Sequence, residues 1–241
     1  MSTVILIPAR KGSSRIKNKN IIKLGRLPLI SYTFKLAQEL DFADKVFLST
    51  NCEKTMNLAK KYSFKNHYNR PEKVASKFST DFEWITDSIR YLEKKNQYFE
   101  NFIILRPTSP FRKVNTIKRA FNLFNRKNCH SLRAVRLCNE HPNKMWQIKS
   151  NFLKPLINIQ INGQPGHSNP YQKLPKIYVQ DSSLEICKTK NLYKFKNISG
   201  KKIIPFIMPY YEGFDINFPE DLAMASNILK KLKWKNTFIS M

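Results

Sequence analysis

Short apolar runs separated by polar stretches set the first expectations for this chain. Thr3 to Pro8 (TVILIP) is apolar at almost every position and reads as a buried strand, which Pro8 ends because proline has no N–H to offer a ladder. LISYTFKLAQEL puts Leu29, Leu36 and Leu40 on one helical face with Ile30, Phe34 and Ala37 beside them, so a helix is predicted over 29–40. Lys45 to Thr50 reads as a second strand and EKTMNLAKKY as a second helix. A third helix over 81–95 is marked by Phe82, Ile85, Ile89 and Leu92, with Trp84 also facing the core, and Asn101 to Arg106 reads as a third strand.

A helix over 115–124 and a strand over 131–135 continue the alternation. From Cys138 to about Gln172 the pattern turns polar, with short β-like pieces around Trp146. Strands are then expected near 177–179 and 184–187 and in the KIIPFIMP run. A turn at 214–217 precedes a closing helix over 220–232, whose start suits Pro219, Glu220 and Asp221 because acidic groups favour the free amides of a first turn.

Strand, loop, helix, strand, helix is the order of an α/β fold in which crossover helices join parallel strands. Ligands in such folds bind beyond the carboxyl ends of the strands. The loops at 9–20, around Asn51 and at 107–112 are therefore expected to converge on one cleft.

Composition narrows the class. With 241 residues, 41% of them apolar, the chain can fill the core of one α/β domain. The cysteines, Cys52, Cys129, Cys138 and Cys187, form no CxxC pair, which argues for reduced thiols over a disulfide framework or a zinc site. His67, His130, His141 and His167 share no ligand spacing, and no GxSxG elbow supports hydrolase chemistry. No apolar stretch reaches the roughly 18 residues of a membrane span and no signal-peptide pattern opens the chain, so no membrane association and a cytoplasmic location are expected. A formal net charge of +26 is spread over many segments. Dispersed charge favours anionic substrates and salt-sensitive attraction over a specific nucleic-acid partner.

One loop concentrates the chemistry. ARKGSSRIKNKN joins Gly12, which permits a tight turn, to the hydroxyls of Ser13 and Ser14 and to Arg10, Lys11, Arg15, Lys17 and Lys19. Consecutive amides with guanidinium forks and ammonium groups suit a polyphosphate. Neither the Walker order nor GxGxxG is present. Asp215, in GFDIN, is the candidate hard oxygen ligand for Mg²⁺, with a turn aspartate before a helix as the alternative. In LRPTSPFR two prolines stiffen a loop that presents Thr108, Ser109 and Arg112. Arg112 is read either as an arm for a sugar carboxylate or as a surface side chain.

IPARKGSSRIKNKNI resembles the opening motif of the acylneuraminate cytidylyltransferase family. The resemblance extends through LSTN, NRPEKVA (69–75), LRPTSPFR (105–112), QKLPKIYVQDSSLEI (172–186) and GFDINFPEDLAMA (213–225). It implies a Rossmann-like nucleotidyltransferase with a mostly parallel central sheet and a small inserted dimerisation subdomain, about 138–172, within a single domain over 1–241. The implied reaction is attack of a sugar's anomeric hydroxyl on the α-phosphorus of CTP with release of pyrophosphate, Mg²⁺ assisting, by a homodimer. The sugar is a nine-carbon acid of the sialic, legionaminic or pseudaminic type. The resemblance assigns Arg10 and Lys19 to catalysis, and Ala9, Gly12, Ser13, Asn20, Arg70 and Ser79 with them to CTP. Arg106, Thr108, Ser109, Arg112, Tyr171 and Gln172 fall on the sugar side, and Asp215 with Asn217 on the metal.

Four departures from the family pattern stand out. Asn217 replaces the second aspartate of a D-x-D pair, Asn51 replaces a common aspartate, and Arg106 replaces a glutamine. Tyr171 stands where an arginine often precedes the QxLP glutamine, so Arg106 is expected to supply that lost charge. The alternatives are an impaired family member that binds nucleotide or sugar without turning over, or a cytidylyltransferase for another acidic sugar.

Overall fold

The computed structural model describes residues 1–64 and 68–232. His67 lies outside the described residues. The chain divides into two compact units: residues 1–134 with the return from Asp181 onward, and residues 135–180.

Six strands form the main sheet: β1 (Thr3–Pro8), β2 (Lys45–Ser49), β3 (Asn101–Ile104), β4 (Ser131–Leu137), β5 (Tyr178–Lys188) and β6 (Ile203–Ile207), in the order β6-β4-β5-β3-β1-β2. β1 pairs in parallel with both β2 and β3, while β5 runs antiparallel to β3 with Lys188 opposite Asn101. The helices are α1 (Leu29–Gln38), α2 (Glu53–Lys60), α3 (Asp81–Glu93), α4 (Val114–Arg126), the short α5 (Lys190–Lys194) and α6 (Pro219–Lys231). The sheet is mostly parallel and Rossmann-like.

The two-residue period of the strands divides the core. Ile5 and Ile7 pack with Phe34, Leu48, Ile103 and Phe124, whereas Val4 and Leu6 pack with Phe47, Trp84, Phe102 and Ile104. Each such side chain contributes about 1.5–3 kcal/mol on burial. A third cluster, Ile16, Leu24, Leu29, Tyr32, Phe111, Ile216 and Ile228, ties the basic loop and the GFDIN segment to α1 and α6. Thr80 and Glu83 close a capping box at the start of α3.

The segment read as two strands, 177–179 and 184–187, is the single strand β5. Its polar centre, QDSS, looked like a break, yet Asp181 and Ser183 are buried and Ser183 N–H donates to Asp181 Oδ1 at 2.8 Å. Gly213 makes that burial possible: a Cβ there would come within 2.1 Å of Asp181 Oδ2. A small hairpin at 23–28 and the helix α5 carried no sequence signal strong enough to be expected.

The second unit holds an antiparallel hairpin of Trp146–Lys149 with Phe152–Pro155 and a shorter one at 160–165. Ile148, Phe152 and Leu153 are exposed on the first hairpin. Among the described residues no helix is long and apolar enough to cross a membrane, and the four cysteines are free thiols.

Candidate active site

β1 and β2 deliver the basic loop. At its start Ala9 N–H donates to Ser49 O at 2.9 Å, and Thr50 Oγ1 donates to Ala9 O, which fixes the exit of β1 against the end of β2. Asn51 then clamps the turn: Lys11 N–H donates to its Oδ1 at 2.7 Å, and its Nδ2 donates to Glu72 at 2.9 Å. An aspartate here would accept from Lys11 but could not donate to Glu72, so the uncharged amide suits this neighbourhood. Neither Asn51 nor Glu72 was expected as a loop anchor; the LSTN motif was the available signal.

Gly12 takes φ +80°, a conformation that side chains resist, and turns the chain back. Arg10 folds over the turn and donates to Gly12 O at 3.0 Å. Among the described residues the amides of Gly12, Ser13 and Ser14 find no protein acceptor. Asn20 Nδ2 donates to Arg10 O at 3.3 Å and closes the loop. Arg10, Ser13, Lys19 and Asn20 are shared by two adjoining recesses, the larger of about 170 Å³. Free amides, a guanidinium and an ammonium around such a hollow form an anion receptor.

The loop reaches the GFDIN segment. Lys19 Nζ donates to Ile216 O at 3.0 Å, and Arg15 NH2 donates to Asn217 Oδ1 at 3.1 Å with its guanidinium stacked over Phe218. Burial holds the Lys19 ammonium below the usual lysine range; Asp215 pulls it back up, Arg15 opposes it, and weaker contributions from Asp221 and Arg10 follow. Asp221 Oδ2 accepts from the amides of Asn217 and Phe218, both at 2.8 Å, so α6 sets the backbone of this segment. Ile216 N–H donates to Thr108 O at 2.9 Å, which joins the proline-stiffened loop to the same place.

Asp215 Oδ2 accepts from Asn217 Nδ2 at 2.7 Å, while Asp215 Oδ1 is buried with no hydrogen-bond partner. A buried carboxylate oxygen left open in this way is suited to a hard cation. Among the described residues no group of three or more His, Cys, Asp or Glu could form an all-protein metal cage. The donor set therefore fits Mg²⁺ in its common mode, one protein carboxylate with phosphate oxygens and water.

Two arginines differ from expectation. Arg112 is 1% exposed and donates to Ser183 O at 2.6 Å, Thr33 Oγ1 at 2.8 Å and Arg106 O at 2.8 Å. It is neither a surface side chain nor an arm for a sugar; it pins the LRPTSPFR loop, and burial lowers its guanidinium to about 9. Ser109 is likewise fully buried, and its Oγ has no hydrogen-bond partner. Arg106 bonds Glu185 at 2.6 Å and Asp81 at 2.5 Å, so its charge is already matched and does not stand in for a lost sugar-side cation. Burial opposes its ionisation, but Glu185 and Asp81 prevail and raise its pKa.

Arg70 is 3% exposed; its Nε donates to Ser49 Oγ and its NH2 to Ser49 O, both at 2.9 Å, and its guanidinium lies over Trp84. Burial lowers it to about 10. These contacts brace the end of β2. Ser79 is half-buried and bonds Ser76, and Thr108 is half-buried. Tyr171 and Gln172 are exposed in the second unit, where Lys144 lies over the Tyr171 ring.

A family model described as Cytidylyltransferase matches residues 4–198. A CMP-N,N'-diacetyllegionaminic acid synthase of Legionella pneumophila is 26% identical, over 95% of this chain and 97% of its own length. A pseudaminic acid cytidylyltransferase of Campylobacter jejuni is 25% identical, over 99% of this chain and all of the relative. Among solved structures, a CMP:2-keto-3-deoxy-manno-octonic acid synthetase complexed with CTP superposes with a TM-score of 0.68 at 12% identity, covering 96% of this chain and 100% of that one. At that identity the likeness concerns the fold.

Proposed function

The chain belongs to the cytidylyltransferase family, and from that premise we propose that it transfers CMP from CTP to the anomeric hydroxyl of a nine-carbon 2-keto acid sugar, releasing pyrophosphate. The observation that carries this reading is the meeting of the basic loop with the Asp215 segment through the Lys19–Ile216 and Arg15–Asn217 hydrogen bonds. Two relatives aligned almost end to end are named for legionaminic and pseudaminic acid, which supports a sugar of that class.

Phosphoryl transfer depends on positioning and charge neutralisation more than on covalent help from the protein. In the proposed site the free amides of Gly12 and Ser13 and the cations of Arg10 and Lys19 receive the phosphates, and the charge that grows on departing pyrophosphate stays beside those cations. Ala9 and Asn20 hold the loop in shape, and Ser79 and the Arg70 brace lie on the cytidine side. Asp215 would hold Mg²⁺ through its unpartnered Oδ1, with the Asn217 side chain bracing the other carboxylate oxygen, and when bound the ion would supply Lewis-acid neutralisation of the phosphate oxygens. Thr108, Tyr171 and Gln172 remain the sugar-side residues of the proposal. A CTP-consuming reaction of this kind belongs in the cytoplasm. The exposed Ile148, Phe152 and Leu153 give the second unit an apolar face suited to a homodimer.

Pyrophosphate release from CTP, measured with legionaminic, pseudaminic and sialic acids with and without Mg²⁺, tests the proposal. Turnover with one of the three that disappears on chelation is expected; CTP consumption with none of them overturns it. A second reading, binding without turnover, draws on one observation: Asp215 and Asn217 are bonded to each other where the family pattern has two carboxylates. Tight CTP binding with no product in any arm is the outcome that selects it.

A further inference from the structure

At the amino ends of β1 and β3, opposite the edge that carries the basic loop, the first unit holds a recess of about 460 Å³. Asn101, Thr189, Lys188, Lys190, Phe99 and Tyr193 line it, with Glu100 and Met1 at its margin. Nothing in the cytidylyl-transfer reading uses these residues.

Two of them are buried polar side chains without partners. Asn101 is 2% exposed and its Nδ2 makes no hydrogen bond; Thr189 is 7% exposed and its Oγ1 makes none. Their backbones are well satisfied, since Asn101 N–H donates to Ser2 O at 3.0 Å and Thr189 N–H to Glu100 O at 2.8 Å. The chain thus holds these two side chains in place on paired main chain while leaving Asn101 Nδ2 and Thr189 Oγ1 buried without partners, an arrangement that native proteins seldom keep without a ligand or water to complete it.

The surrounding charge is of one predominant sign. Lys188 and Lys190 border the recess, and with Lys194 and Lys202 they surround His130. Desolvation first, and then those four ammonium groups, keep the His130 imidazole below its usual range. Glu100 is the opposing carboxylate at the rim, which disfavours a ligand of high negative charge. Tyr193 is 44% exposed and its hydroxyl is anchored on Glu93 at 2.7 Å, so its ring is a fixed flat surface at the mouth.

We infer that this recess is a second anion site, built for a nucleoside monophosphate: Lys188 and Lys190 meet the phosphate, Asn101 and Thr189 supply the inner hydrogen bonds, and Tyr193 stacks on the base. Donors at the inner end with a ring at the mouth match a phosphate joined to a planar group. The rim carboxylate places the preference at one phosphate, distinct from the triphosphate taken by the basic loop.

Calorimetric titration of the full chain with CMP, with AMP and with inorganic phosphate tests the site. Wild type is expected to bind two equivalents of CMP. The Lys188→Glu/Lys190→Glu variant should bind one, and Arg10→Ala/Lys19→Ala should keep the other. Thr189→Val retains shape while losing the hydroxyl, and should weaken the second site by about tenfold, the loss of one charge-assisted hydrogen bond. AMP should fill the second site and phosphate alone should bind it more weakly. An equal number of bound CMP equivalents in wild type and in Lys188→Glu/Lys190→Glu overturns the inference, as does a recess equivalent that Thr189→Val leaves unchanged or that phosphate matches, since either marks diffuse attraction to lysines. Turnover by the lysine variant separates failure here from failure of the cytidylyl-transfer reading.

Discussion

Replacing Arg106 with glutamine, the residue more usual in the family pattern, should cost this protein about 2–3 kcal/mol of stability. Glu185 has a fully buried side chain, Arg106 is 18% exposed and Asp81 is 43% exposed. Removing one partner of a buried ion pair commonly costs about 3–5 kcal/mol because the other charge is left without compensation. Two features reduce that figure. Arg133 stays 2.8 Å from the second Glu185 oxygen, and the exposed side of Asp81 can turn to water. For a chain of this length the loss corresponds to a fall in Tm of roughly 5–10 °C. Urea unfolding followed by circular dichroism measures it, and Glu185→Gln in the same chain should recover at least about 1.5 kcal/mol, the coupling expected of neighbours in one network. A variant within about 0.5 kcal/mol of wild type refutes the reasoning, and a raised sugar KM at unchanged stability returns Arg106 to the sugar side.

Other consequences are testable with the same protein. Lys19→Ala should lower kcat/KM by about 100- to 1,000-fold with the fold intact, as expected for loss of a preorganised cation. Because burial lowers the Lys19 pKa, its charge is lost below the pH at which an ordinary lysine titrates, so the alkaline limb of kcat/KM should lie below 10.5 and move upward in Lys19→Arg; an unmoved limb shows that another group titrates. Asp215→Asn should raise the Mg²⁺ concentration needed for half-maximal rate by at least about tenfold, and Asn217→Asp should hold or lower it; a wild-type Mg²⁺ titration in Asp215→Asn removes Asp215 from the metal site. Phe152→Glu with Leu153→Glu places two charges on the exposed hairpin and should convert a dimer to monomer by light scattering, whereas an unchanged mass moves the interface elsewhere.

Much of the framework can be read locally. The TVILIP run, the heptad-like spacing of 29–40 and the alternation of strands with helices each follow from how apolar residues recur over a few positions. The basic loop is legible for the same reason: its glycine, hydroxyls and cations are neighbours in the chain, and β1 carries them to the sheet edge. Asn51 and Glu72 are harder to find, since their use depends on a clamp across segments 21 residues apart. The strand over 178–188 was obscured because its buried Asp181 looks polar in sequence, and only the close approach of Gly213 shows why it can stay inside.

By itself the sequence determined the α/β order, the basic loop and the carboxylate at 215, all properties of residue type and short spacing. The tertiary structure alone decided what the arginines do. Arg106 and Arg112 each bind partners 71–79 residues away, and Arg15 reaches across 202 residues to Asn217. A guanidinium exposed to a substrate and one consumed by a buried carboxylate or carbonyl look the same in the chain. Only the folded neighbours, which determine desolvation and pairing, distinguish them.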